Sequence, residues 1–154
     1  TMAPSPTRHA ATAGAFAWAQ DAEPFLEDAA RRLRGVGLDG ATALHLARLY
    51  GTEWARLADM ITSQPTLTTK VSSSTLDIAA QVVFAVVAEG ARTLSDIVDR
   101  RLIVGTLGSV DQETLVSIAL VAAPFLGWSE DEARAEAHRE FHRRNALAAL
   151  WQRP

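Results

Sequence analysis

Between Thr75 and Glu89 the chain carries a single charged side chain, Asp77, in a run made almost entirely of leucine, isoleucine, valine, alanine and phenylalanine. Such a run has no polar face to offer water, so other elements must cover it on every side. It is shorter than the roughly 18–20 apolar residues that cross a bilayer. The second nearly charge-free run, residues 114–128, is also too short and holds Pro124. The pairs Val82-Val83 and Val86-Val87 would suit a strand, but the length of the run and the lack of turn residues inside it favour a helix. The expectation is a buried central helix with others packed around it.

Helix punctuation fills the rest of the chain. The sequence holds 29 alanines, and alanine favours helix because it loses no side-chain entropy there. Residues 16–34 read as a helix that accommodates Pro24 near a helix start and stops at Gly35-Val36-Gly37. Asp39 caps residues 41–50, where Leu44, Leu46, Ala47, Leu49 and Tyr50 give a wide apolar stripe. Gly51 breaks that helix and Thr52 caps residues 53–62, in which Trp54, Leu57, Ala58 and Ile61 share a face. Residues 63–74, rich in Ser and Thr around Pro65, read as the one long loop. Thr93 to Asp96 has capping-box-like spacing and opens residues 94–102. Ser109 to Gln112 opens a helix to Leu126, and Ser129 to Glu132 opens the last one, to about Trp151. No hairpin signal and no internal repeat occurs. The fold expected is all-α, a single compact bundle of six or seven helices over residues 16–154. Residues 1–15 have no continuous apolar stretch and read as a flexible tail or an expression remnant, not a signal peptide.

Several function classes are excluded by composition and motif. The formal charge is −3, so no overall basic field draws the chain to nucleic acid. The absence of cysteine excludes a disulfide scaffold, a thiolate nucleophile and a sulfur-ligated zinc site. Gly105-Thr106-Leu107-Gly108 is too sparse to cradle a pyrophosphate, and there is no GxSxG elbow or P-loop. His138 and His142 stand four apart, so a helix would project both from one face. The thermolysin-type pattern needs Glu directly after the first His, where Arg139 stands, and Arg139 and Arg143 would repel a divalent cation. They read as a solvated helix face, with no metal site. His45 reads as a helix-surface or satisfied core histidine. No catalytic residue is assigned.

One cluster stands out, at residues 89–101. Glu89 closes the apolar helix and is charged where burial is expected, so it needs a cationic partner or hydrogen-bond donors. Asp96 and Arg100 have the favourable acid-first i,i+4 order. One reading is an internal salt-bridge knot, with Glu89 held by Arg100 or Arg101 and Asp96 in support; the other is an arginine that reaches a phosphate or a partner domain. The knot is the expectation. Removing Glu89 from a buried pair would cost about 3–5 kcal/mol, and from an exposed pair about 1 kcal/mol or less.

The stretch from Ala79 to Arg101 resembles the C-terminal helical domain of FAD-dependent glycerol-3-phosphate dehydrogenases and alpha-glycerophosphate oxidases. That family's pattern is Ala-Glu-Val-x-Tyr-Ala-Val, a second Glu, then Thr-Leu-x-Asp-x-Leu-x-Arg-Arg; Glu89, Thr93-Leu94, Asp96 and Arg100-Arg101 stand in it here. Upstream, His45-Leu46 and Tyr50-Gly51 resemble its His-Leu-x-x-x-Tyr-Gly element, and downstream Leu126-Gly127-Trp128-Ser129 resembles its Leu-Gly-Trp-Asp. Three positions depart from it: Gln81 replaces the usual glutamate, Phe84 a frequent tyrosine, and Leu102 the threonine after the arginine pair.

The resemblance implies a non-catalytic C-terminal domain. Its parent enzyme would oxidise sn-glycerol 3-phosphate to dihydroxyacetone phosphate through FAD and pass electrons to a quinone. FAD would belong to the parent and not to this chain, which would be inactive alone. The implied partner is an FAD-binding domain, on the same polypeptide or a companion subunit, with homodimerisation as a further role. The implied location is cytoplasmic, the parent being peripheral on the cytoplasmic membrane. Tyr50, Gly51, Glu89, Asp96, Arg100, Arg101 and Trp128 then form a structural or interdomain motif. The alternative is a free-standing helical interaction module that keeps the fold without the enzyme.

Overall fold

Side-chain caps mark where four of the helices of this chain begin, and a computed structural model describes the chain over residues 22–107 and 110–151. The all-α reading holds: among the described residues there is no strand, only an isolated antiparallel bridge between Lys70 and Ile78. The helices group into two compact units, one within Thr1–Ser63 and one within Gln64–Pro154. The tail at 1–15, the start of the first expected helix before Ala22, and Ser109 lie outside the described residues.

In the first unit, α1 (Ala22–Gly35) packs on α2 (Gly40–Tyr50), and α3 (Trp54–Ser63) closes against both. Asp39 caps α2 as expected: its carboxylate accepts the Thr42 N–H at 2.9 Å and the Thr42 hydroxyl at 2.7 Å. The core is built from Leu33 of α1, Leu46, Ala47 and Tyr50 of α2, and Leu57 and Ile61 of α3. Leu49, placed in the α2 stripe by sequence, is 47% exposed. Thr52 does not open the third helix directly. A 3-10 turn, Gly51–Glu53, comes first, and α3 starts at Trp54.

The second unit is centred on α4 (Ala79–Val87), in which every residue except the last is buried. It packs against α7 (Gln112–Leu126) and α5 (Leu94–Arg101); α8 (Glu130–Trp151) packs against α7 and α5. Asp111 caps α7 by accepting the Thr114 N–H at 2.7 Å. Ser129 and Glu132 form the expected capping box of α8: Ser129 N–H donates to the Glu132 carboxylate at 2.7 Å, and Glu132 N–H to the Ser129 hydroxyl at 3.2 Å. The helix expected from Thr75 begins four residues later. The segment before it bridges Lys70, and the Val71 N–H donates to the Asp77 carbonyl at 3.1 Å, so the backbone there is extended.

A four-residue helix, α6 (Ile103–Thr106), was not foreshadowed by any cap signal. Gly105 shows why it fits. A Cβ on this residue would stand 1.9 Å from the Val98 carbonyl oxygen of α5, a distance no real contact allows. The glycine is thus needed for close approach of two helices, not for a ligand. Gly105→Ala should lower unfolding stability by at least about 1–3 kcal/mol, the usual cost of overpacking. Gly35→Ala, which meets nothing within 4 Å, serves as the control and should not destabilise. Urea melts of both variants check this.

Candidate interdomain surface

A buried carboxylate organises the second unit, and it is not the one the sequence points to. Asp77 is fully buried. Its Oδ2 accepts the Val104 N–H at 2.8 Å and the Thr75 hydroxyl at 3.0 Å; its Oδ1 accepts the Ile103 N–H at 3.2 Å and the Gln81 side-chain N–H at 3.3 Å. A carboxylate can be buried when donors fill its lone pairs in this way. Gln81, also fully buried, meanwhile accepts the Ile78 N–H at 2.9 Å through Oε1. An amide both donates and accepts here, which an ionised glutamate could not do beside Asp77. That is the physical content of the departure at Gln81. The sequence signal was present: a lone acid just ahead of an otherwise apolar helix.

The expected knot at Glu89 exists as a pair, but it is not buried. Arg101 Nε lies 3.2 Å from Glu89 Oε2, with side-chain exposures of 39% and 27%. Arg100 reaches Asp96 only at 3.9 Å and is 73% exposed. The reason is local. The apolar helix ends at Val87, which already faces solvent, and Glu89 follows it out of the core. Asp96 acts chiefly as the reciprocal partner of the α5 cap: Thr93 N–H donates to it at 3.1 Å and Arg92 N–H at 3.2 Å, while its own N–H donates to the Thr93 hydroxyl at 3.1 Å. The hydrogen bond from the Thr93 hydroxyl, with that from the Arg92 backbone, holds its carboxyl below the usual value.

The strongest ion cluster lies between α5 and α8. Asp99 meets Arg143 at 2.8 Å and also Arg144, and Ser95 donates to it at 2.9 Å. Glu140, nearly fully buried, accepts from Arg143 Nε at 2.7 Å and from its Nη2 at 2.6 Å. Arg144 also donates to the Gly105 carbonyl at 3.0 Å, so α8 fastens α6. Burial pushes the Asp99 carboxyl up, but hydrogen bonds from Ser95 and Arg144, and the charges of Arg144 and Arg143, outweigh it and leave the group below its usual value. Glu140 raises the Arg143 guanidinium pKa further, chiefly by hydrogen bonding. Asp99 is 44 and 45 residues from its arginines, a pairing that local spacing could not reveal.

The remaining motif residues serve as helix ends. Tyr50 is the buried last residue of α2. Gly51, at φ +51°, lies in the left-handed region and donates its N–H to the Ala47 carbonyl. Trp128, half-buried, donates its backbone N–H to the Ala123 carbonyl at 3.0 Å and so closes α7. His138 and His142 do share an exposed face of α8, ring centroids 4.8 Å apart. Arg139 is held by Glu136 at 3.0 Å and Arg143 by Glu140. Among the described residues no three His, Cys, Asp or Glu side chains converge as a metal site would need.

The family model of the C-terminal domain of alpha-glycerophosphate oxidase matches residues 5–133. The chain belongs to that family. The match includes the cap of α5, the Tyr50–Gly51 helix end and the Trp128 closure, and reaches into the first fifteen residues, expected as a tail. A glycerol-3-phosphate dehydrogenase of Synechocystis sp. is 29% identical over 130 residues, covering 82% of this chain and 24% of the relative. The chain thus spans about a quarter of that relative's length. No solved structure matches.

Two measurements separate the buried and exposed carboxylates. Glu89→Ala should cost about 1 kcal/mol or less, whereas Asp77→Ala strands two backbone N–H groups and should cost at least about 2 kcal/mol; denaturant melts distinguish them. Asp99 binds its proton more weakly folded than unfolded. Its contribution is therefore complete above its ordinary pKa of 3.8 and is lost as the pH falls lower. Asp99→Asn should flatten the stability–pH curve below about pH 4. An unchanged acid limb would show that the Asp99 cluster adds nothing.

Proposed function

We propose that this chain is the C-terminal domain of a cytoplasmic FAD-dependent enzyme that oxidises sn-glycerol 3-phosphate to dihydroxyacetone phosphate and works at the membrane face. Its part is to pack against the flavin- and substrate-binding body. The observation that carries this reading is the family match over most of the chain, together with the chain's span of 24% of a glycerol-3-phosphate dehydrogenase. The described residues do not fit a flavin site. The one glycine-bearing stretch that invites comparison begins in α6, where Gly105 is closed against Val98 and its carbonyl is taken by Arg144. Among the described residues no helix is long and apolar enough to cross a membrane, so the membrane attachment proposed is peripheral.

On this reading Arg100, Arg101 and Glu89 are partly solvated so that the body can meet them. Guanidinium groups suit that role because they lose little on leaving water and bind carboxylates in a fixed geometry. The whole reading frame, expressed and purified, should carry flavin and reduce an artificial acceptor with glycerol 3-phosphate. The 154-residue chain alone should be colourless and inert in the same assay. Flavin copurifying stoichiometrically with the short chain, or a long chain inert toward glycerol 3-phosphate, would overturn the proposal.

A further inference from the structure

Beyond Arg144, which ties it to Asp99 and Gly105, helix α8 continues with its residues in solvent. Asn145 to Leu150 are all exposed, and Asn145 is the one polar residue among them. Leu147 is 44% and Leu150 57% exposed, with alanines at 146, 148 and 149. A helix surrounded by water ordinarily carries charge on most of its surface. These turns carry none, and they lie past the end of the family match at residue 133. They form a small uncharged, largely apolar surface at the end of the helix.

A second copy is a poor cover. Two leucines and three alanines offer a few hundred square ångströms, short of the about 1,000 Å² that a stable association buries. A partner on the same polypeptide escapes that limit, because a tether raises its effective concentration to roughly the millimolar range. The relative matched by this chain is about four times as long as the matched part. We propose that the last turns of α8 seat in an uncharged apolar groove on the flavin- and substrate-binding body of the same polypeptide. Leu147 and Leu150 are the anchors, one helical turn apart, and the alanines allow the backbone to come close. This rests on the proposed function.

The absence of cysteine from the chain makes the test direct. Leu150→Cys and the exposed reference Ala135→Cys are made in the full reading frame and in the 154-residue chain, and maleimide labelling is timed against the unsubstituted proteins. In the full polypeptide, position 150 should label at least tenfold more slowly than in the short chain, and position 135 at the same rate in both. Equal rates at 150, in a polypeptide that holds flavin and oxidises glycerol 3-phosphate, overturn the docking and leave the proposed function standing. A reading frame with no flavoprotein body overturns both. Slow labelling at 150 in the short chain, with a dimer in sedimentation, assigns the surface to a second copy and overturns the proposal.

Discussion

The second unit depends on one buried carboxylate. Asp77 gives up hydration on entering the core, and it stays there because four donors converge on its two oxygens. Two of those donors are the backbone N–H groups that open α6, so the same contact places a helix too short to form alone. Once α6 is placed, Gly105 meets Val98 of α5 and presents its carbonyl to Arg144 of α8. The lead into α4, α5 and α8 is thereby joined through a four-residue element. Gln81 completes the arrangement by donating to Asp77 while accepting from Ile78.

Charge is distributed differently on the two ends of α5. Its N-terminal acid, Asp96, is consumed by the cap, and its last-turn arginines are left half or mostly exposed. Asp99, facing α8, is drawn into a cluster with Arg143, Arg144 and, through Arg143, the buried Glu140. The first arrangement pairs both guanidinium groups at the surface, in contact with solvent. The second locks α8 to the unit that carries it.

The caps were legible in the sequence because they are local. Asp39, Thr93 with Asp96, and Ser129 with Glu132 each act over three residues, and backbone geometry fixes what such spacing can do. The apolar run was legible for a related reason, since a segment with no polar face can only be central. The family resemblance was legible in helix ends, where Gly51 takes a positive φ that favours glycine and Trp128 closes α7 through its backbone N–H. Glu89 leaves the core although its neighbours in sequence are buried, because the helix that carries them ends two residues earlier.

Sequence alone therefore determined the helical class, most helix starts and the family, all of which rest on interactions within a turn or two of chain. Tertiary structure decided which carboxylate is buried, where α6 forms and which arginines are engaged. Those outcomes join residues far apart, Asp77 to Val104 across 27 positions and Asp99 to Arg144 across 45. Nothing in local spacing encodes such a distance, because burial depends on what the folded chain brings alongside and not on what precedes or follows in sequence.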